Sequence, residues 1–136
     1  MKRAHKVLHM QAAYVYANGS YCVRRKVGCL IVKNNTPIAI GFNGTPPGDE
    51  NVCEDINGFT KDTVIHAERN AFLKLKGRDE DLSDACIFVT TAPCENCAKL
   101  ILDSGIKTVY YNDLYRCDKG VRLLIDNGVR VEKIEI

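Results

Sequence analysis

The chain has 136 residues, 46% of them hydrophobic and 26% charged, with a formal net charge of +2 at pH 7. This length suits a single core, so residues 1–136 are predicted to form one domain, and a second domain within them is not expected. Charges of both signs are mixed along the chain without a basic tail or stripe, which argues against a nucleic-acid partner. The N-terminal segment lacks the apolar run of a signal peptide or membrane span, so we expect a cytoplasmic protein without a membrane partner.

The first half of the chain predicts a helix followed by a hairpin. Apolar residues recur at three- and four-residue steps over residues 3–18, which indicates a helix. Two β-rich runs, residues 27–32 and 37–42, flank a turn-prone segment and are typical of a β-hairpin. The segment 41–48, which is rich in Gly and Pro, ends regular structure and opens a loop to about residue 63.

The second half of the chain alternates helix and strand. An apolar stripe predicts a helix at residues 66–76. A strand, a helix, a strand, a helix and a strand then follow in order, at residues 85–90, 93–105, 108–111, 119–127 and 129–134. This alternation predicts parallel pairing through right-handed crossovers. The fold class is therefore α/β, a three-layer α/β/α sandwich with a five-stranded mixed sheet that binds ligands at the carboxyl ends of its strands.

Two short motifs supply metal-binding chemistry. His66 begins one predicted helix, and Cys94 and Cys97 begin another, one strand later. Cysteines three residues apart at a helix start lie on one face, where both thiolates can bind one tetrahedral zinc ion. Three protein ligands leave the fourth position for water, which is typical of a catalytic rather than a structural zinc. The sequence predicts one catalytic Zn²⁺ per chain.

Glu68 is the predicted catalytic residue. It follows His66 by two positions, so its carboxylate is expected in the same cavity without binding the metal, where it would relay protons. The pattern H-x-E with P-C-x-x-C is the known signature of zinc nucleobase deaminases. Taken singly, the Cys-x-x-Cys motif would fit a structural zinc knuckle or a redox pair, and the His-Ala-Glu motif an ordinary helix. Their combination, in this order and with Pro93 in place, favours the deaminase site.

The chain resembles the deoxycytidylate (dCMP) deaminases of phages and bacteria, within the cytidine deaminase superfamily. The likeness runs from about residue 11 to residue 131 and includes the four segments RKVGCLIV (25–32), GFNGTPPG (41–48), IHAERNA (65–71) and CAKLI (97–101). It implies hydrolytic deamination of dCMP to dUMP at C4, with release of ammonia and supply of dUMP for thymidylate synthesis. Cytidine and dCTP are alternative substrates, because these distinctions depend on one or two phosphate contacts.

The resemblance also assigns residues to the substrate. Asn43 matches the family asparagine that contacts the deoxyribose, and Tyr115 matches the aromatic residue that closes over base and sugar. Turn chemistry at Asn43 and packing within a Tyr-rich run at Tyr115 are the competing interpretations. A nucleotide also needs cations for its phosphate, and Arg24, Arg25 and Lys26 are the candidates, against a solvated basic turn.

Seven cysteines leave several without a role in the predicted zinc site. The odd number and a reducing compartment argue against a disulfide framework. Cys22 and Cys53 match two ligands of a second, structural zinc in related phage enzymes, but no His or Cys lies at 54–65, so both are predicted to be buried or merely retained thiols. Cys29 and Cys86 are expected to pack as small apolar residues in strands, and Cys117 has no assigned role.

The resemblance further implies that the chain forms an oligomer and that nucleotides regulate its activity. Members of the family often form hexamers that dCTP activates and dTTP inhibits, so a homo-oligomer with these two effectors is expected. Two other functions compete with a free-nucleotide enzyme. A deaminase of bases in tRNA or single-stranded DNA would need a more basic, aromatic surface, and a non-catalytic zinc module would have no need for Glu68.

Overall fold

The computed structural model describes residues 1–114 and 117–136. A five-stranded sheet with the order β2-β1-β3-β4-β5 forms its centre. The strands are β1 (Gly28–Lys33), β2 (Thr36–Phe42), β3 (Cys86–Thr91), β4 (Thr108–Asp113) and β5 (Arg130–Lys133). The helices are α1 (Arg3–Ala17), α2 (Ala67–Leu73), α3 (Glu95–Ser104) and α4 (Lys119–Asp126).

The sheet is mixed, as predicted. β1 pairs antiparallel with both β2 and β3, whereas β3, β4 and β5 are parallel to one another. Asn34 and Asn35 adopt positive φ angles of 52° and 58° in the β1–β2 turn, a conformation that asparagine tolerates and that matches the twist of a hairpin. The alternation of strand and helix in the second half therefore predicted its parallel pairing correctly.

Helices cover both faces of the sheet and give the predicted three layers. On one face α1 packs Met10 and Ala13 against Leu30 and Phe88. On the other face α2, α3 and α4 contribute residues to a larger core that includes Ala71, Ile101, Leu124, Ile31, Ile87 and Val109. β1 and β3 supply alternate residues to the two cores, because successive side chains in a strand point to opposite faces.

Two glycines in the hairpin allow helices to lie directly on the strands. A Cβ at Gly28 would lie 1.8 Å from the carbonyl oxygen of Ala13 in α1, and a Cβ at Gly41 would lie 2.2 Å from that of Ala67 in α2. Such distances are far below van der Waals contact, so only glycine allows this approach. Gly41 thereby sets how close the first turn of α2 lies to the sheet.

The boundaries of α2 differ from the prediction. The apolar stripe predicted a helix to residue 76, but α2 ends at Leu73, and turns connect it to Gly77, whose φ is 83°. Leu75 is buried and still contributes to the core from this turn region. A hydrophobic pattern reports burial, and here burial continues beyond the helical hydrogen bonds.

One cysteine prediction is wrong. Cys22 and Cys53, expected as free thiols, form a disulfide with an S–S distance of 2.13 Å and a Cα–Cα distance of 5.1 Å. Both are fully buried with Val64 in a small separate cluster. The resemblance places these two positions, 31 residues apart in sequence, at one zinc site in related phage enzymes, but the odd cysteine count and the expected reducing compartment argued against a bond between them. Cys29 is buried and Cys86 half-buried in the strands, in keeping with their predicted packing.

Within residues 1–114 and 117–136, no helix combines the length and the apolar character needed to cross a bilayer.

Candidate active site

Four segments meet at one edge of the sheet. β3 and β4 end there, at Thr91 and Asp113, and β2 ends there at Phe42. β1 begins at this same edge, because it runs antiparallel to both of its neighbours. The backbone N–H of Gly28 donates to the Thr90 hydroxyl across the β1–β3 pair at 3.1 Å. The loops that carry the predicted site residues therefore converge at the carboxyl ends of the parallel strands.

The three predicted zinc ligands form one cluster. His66 Nδ1 lies 3.6 Å from Cys94 Sγ and 3.4 Å from Cys97 Sγ. In a tetrahedral site with Zn–S near 2.3 Å and Zn–N near 2.0–2.1 Å, nitrogen and sulfur ligands lie about 3.6 Å apart. Both nitrogen–sulfur distances therefore match a tetrahedral zinc site, all three donor atoms lie within 4.8 Å of one another, and His66 presents Nδ1 as its donor.

Helix starts position these ligands. His66 is the residue directly before α2, Cys94 is the residue directly before α3, and Cys97 is in the first turn of α3. Hydrogen bonds from Cys97 and His66 lower the pKa of Cys94 to about 3, so this sulfur is poised as a thiolate. The pKa of His66 is raised, chiefly by its hydrogen bond to Cys94. A thiolate at a helix start is also favoured by the helix dipole.

Gly120 allows α4 to pack closely against residues 93–94, the segment that presents Cys94. It lies in the first turn of α4, and a Cβ there would be 2.1 Å from the carbonyl oxygen of Pro93 and 2.7 Å from that of Cys94. α4 thus packs backbone to backbone against the segment that presents Cys94. The sequence offered no sign of this role, since a glycine within a predicted helix signals only a weaker helix.

Glu68 lies beside the cluster and is only 4% exposed. Burial raises the pKa of its carboxyl group to about 7, against the lowering effects of a backbone hydrogen bond and of His66. A carboxyl group with a pKa near neutrality can both accept and donate a proton, as a general acid–base requires. The structure thus places the predicted proton shuttle beside the predicted ligands.

His66, Glu68 and Cys94 line a cavity of about 530 Å³, a size that suits a small-molecule ligand, and Cys97 contacts His66 beside this lining. We use "floor" for His66, Glu68, Cys94 and Cys97, and "mouth" for the lining residues Arg24, Arg25, Asn43, Phe59 and Leu114. Cys117 also lines this cavity. Phe59, Leu114 and Cys117 were not predicted as site residues, because each follows or lies in a loop without periodic pattern.

Asn43 lies in the mouth, and its side chain forms hydrogen bonds with the segment that leads into β1. Its Oδ1 accepts from the backbone N–H of Val27 at 2.8 Å, and its Nδ2 donates to the carbonyl oxygen of Arg25, also at 2.8 Å. The carboxamide thereby fixes the chain between Arg25 and Val27. One lone pair and one N–H of this amide have capacity for a further partner.

The three predicted phosphate-binding cations occupy different positions. Arg24 and Arg25 line the cavity, whereas Lys26 is exposed outside its lining. Arg25 donates to the Thr91 hydroxyl at 3.1 Å and forms an ion pair with Asp113. Arg24 lies over the ring of Phe59. Tyr115, the predicted aromatic cover, lies outside the described residues.

A second cluster of potential ligands is present among the described residues, formed by Cys22, Cys53 and Glu54. Its two sulfur atoms are bonded to each other, and the Glu54 carboxylate accepts hydrogen bonds from the backbone N–H groups of Val23 and Arg24. These donor atoms therefore already have partners within the chain.

An α/β/α sandwich with a His-Cys-Cys cluster and a buried carboxyl group at the sheet edge is the architecture of a zinc-dependent hydrolytic site. Residues 2–113 match the family described as the cytidine and deoxycytidylate deaminase zinc-binding region. The chain belongs to this family.

Among individual relatives, the deoxycytidylate deaminase of Schizosaccharomyces pombe is 37% identical over 85% of this chain but only 39% of its own length. That of Enterobacteria phage T4 is 30% identical, over 81% of this chain and 78% of its own. The dCMP deaminase of cyanophage S-TIM5, solved in complex with dCMP and dUMP, is 41% identical, with a TM-score of 0.93 and 98% of both chains covered. This chain thus spans about two fifths of the fission yeast relative.

Proposed function

We propose that this chain hydrolyses dCMP to dUMP and ammonia. The observation that carries the proposal is the floor, where His66 Nδ1 lies at zinc-site distances from two cysteine sulfurs beside a buried carboxyl group with a pKa near 7. The cyanophage enzyme with dCMP and dUMP supports the choice of substrate, because 98% of each chain is matched at 41% identity. Water adds at C4 of the ring and the exocyclic nitrogen leaves as ammonia, so the atoms balance.

Each floor residue has a separate task. His66, Cys94 and Cys97 would hold one zinc ion, which when bound supplies Lewis-acid activation of water by lowering its pKa toward about 7. Glu68 accepts one proton as water attacks and delivers it to ring N3. It then accepts the second proton of that water from the new C4 hydroxyl and delivers it to the departing nitrogen. Its burial supports this exchange, because it keeps the carboxyl pKa close to neutrality.

The mouth would hold the sugar and the phosphate. The amide of Asn43 has hydrogen-bonding capacity for the deoxyribose, and Tyr115 is proposed to close over base and sugar. Arg24 is the first candidate for the phosphate, because it lines the cavity and its guanidinium packs on a ring. Arg25, which is paired with Asp113, is the second, and Lys26 is the weakest of the three.

Assembly and regulation belong to the same proposal. We propose a cytoplasmic homo-oligomer, a hexamer in the family pattern, that dCTP activates and dTTP inhibits. One feature supports self-association. α1 exposes Leu8, Val15 and Tyr16 on its outer surface, at 57%, 66% and 42% of their accessible areas. Apolar side chains of this size are the residues that oligomer interfaces commonly bury.

The test is turnover of purified protein containing close to one zinc per chain. dCMP, deoxycytidine, cytidine and dCTP are supplied in turn, with ultraviolet absorbance and ammonia release as readouts. Efficient turnover of dCMP and poor turnover of the other three would support the proposal. Turnover of none would overturn it, and assays on tRNA and single-stranded DNA would then follow. Repeating the dCMP assay with dCTP and with dTTP tests regulation.

A further inference from the structure

The segment 53–60, which we call the rim loop, forms a compact unit on one side of the mouth. Glu54 and Thr60 pair as an isolated β-bridge. Asp55 Oδ1 accepts from the backbone N–H groups of Asn57 at 2.9 Å and Phe59 at 3.0 Å. The N–H of Asp55 in turn donates to the carbonyl oxygen of Phe59 at 2.7 Å. Phe59 therefore projects from a loop that its own hydrogen bonds define.

The rim loop is fastened to the segment that carries Arg24. The Cys22–Cys53 disulfide joins the two chain segments. One residue further on, Glu54 Oε2 accepts from the backbone N–H groups of Val23 and Arg24, both at 3.1 Å. A carboxylate that accepts two backbone hydrogen bonds fixes the chain direction at Arg24.

Phe59 contacts the side chain of Arg24 directly. The guanidinium carbon of Arg24 lies 5.6 Å from the centre of the Phe59 ring, within the range of a cation–π interaction. Both side chains line the cavity, yet Phe59 is 60% exposed, so core packing does not explain its position. An exposed arginine otherwise samples many rotamers, and both the ring and the backbone anchor reduce that freedom.

We infer that Glu54 and Phe59 are positioning residues that hold the Arg24 guanidinium at the mouth, where it selects a substrate carrying a 5′-phosphate over the corresponding nucleoside. The inference rests on the proposed function for the identity of the substrate. It adds that the preference for nucleotide is set by the rim loop, which takes no part in the chemistry of the floor.

The first experiment compares dCMP with deoxycytidine as substrates of Phe59→Leu, which removes the ring but keeps an apolar side chain. We expect KM for dCMP to rise about two- to five-fold, the range of an exposed cation–π contact. The kcat/KM for deoxycytidine should fall by less than that for dCMP, so that the preference for the nucleotide decreases. Ile56→Ala is the matched control, since Ile56 is fully exposed on the same loop. Equal losses on both substrates, or no change on either, would overturn the inference.

The two backbone hydrogen bonds that Glu54 accepts from Val23 and Arg24 give an independent test. Glu54→Ala loses both acceptor contacts and should raise KM for dCMP, whereas Glu54→Gln retains an amide oxygen that can accept them and should recover most of the wild-type value. Recovery by glutamine distinguishes positioning of the backbone from direct action of the negative charge. Similar KM values for dCMP in the alanine variant and the wild type would count against the role of Glu54.

A double-mutant cycle separates this inference from the proposed function. Arg24→Ala alone should reduce the preference for dCMP over deoxycytidine, and adding Phe59→Leu should then have no further effect, because the ring acts through Arg24. If Arg24→Ala leaves the preference intact, the assignment of the phosphate to Arg24 fails. If it reduces the preference but Phe59→Leu adds its full effect, the coupling fails while the proposed function stands.

Discussion

The floor and the mouth of the cavity are built in different ways. The floor residues lie at or next to the starts of two helices that rest on the sheet, and Glu68 there is 4% exposed. The mouth consists of loops, in which Arg24 is exposed and Phe59 is 60% exposed. The floor is thus fixed by the two helix starts, where Glu68 and Cys97 are buried although His66 and Cys94 are exposed, whereas the mouth depends on cross-links between segments distant in sequence. Changes in the floor should affect chemistry and metal retention, and changes in the mouth should affect substrate affinity.

The largest effect is expected from Glu68→Gln. The amide keeps the shape of the side chain but can neither accept the proton from water nor pass one to the ring, so kcat should fall by about 10²–10⁴-fold. Zinc content and thermal unfolding, measured beside the activity, should match the wild type. Substantial activity in this variant would show that the proton shuttle is another group.

Loss of the Cys22–Cys53 disulfide tests whether the mouth can be weakened without loss of zinc from the floor. Closing a loop between residues 31 apart should stabilise the fold by about 2–4 kcal/mol, so a reducing agent should shift the urea unfolding midpoint downward. The double variant Cys22→Ser/Cys53→Ser should start at the lower midpoint and show no response to the reductant. In both cases the zinc content should be retained. Zinc loss on reduction would mean that floor and mouth are not independent.

The floor was predictable from sequence because its chemistry is local. The spacing from His66 to Glu68 and from Cys94 to Cys97 places each pair on one helix start, and helix periodicity then fixes their common orientation. The alternation of strand and helix predicted the sheet that brings both starts to one edge. The mouth offered no comparable periodicity. The Cys22–Cys53 bond and the Arg24–Phe59 contact join distant loops, and only the folded chain shows them.

Gly120→Ala tests whether backbone packing holds the floor. A Cβ 2.1 Å from the Pro93 carbonyl oxygen must displace either α4 or the loop before Cys94, which we expect to cost about 1–3 kcal/mol in the free energy of unfolding. Zinc should also dissociate faster, and a Co²⁺-substituted sample should show an altered thiolate-to-metal absorption band. Gly44→Ala is the matched control, because a Cβ at Gly44 meets no atom within 4 Å. Equal behaviour of the two variants would contradict a supporting role for Gly120.

The smallest effect is expected from Lys26→Ala. The sequence grouped Lys26 with Arg24 and Arg25 as phosphate contacts, but Lys26 is exposed outside the cavity lining whereas both arginines lie within it. A charge in solvent at that position acts on the substrate only through a screened field, so KM for dCMP should change by less than about two-fold at physiological ionic strength. Arg24→Ala, measured in parallel, should raise KM about ten-fold or more, as expected for loss of a charge-assisted hydrogen bond. Comparable losses in the two variants would mean that the phosphate is held by the net charge of the basic turn rather than by one positioned guanidinium, and the division of the mouth into specific contacts would fail.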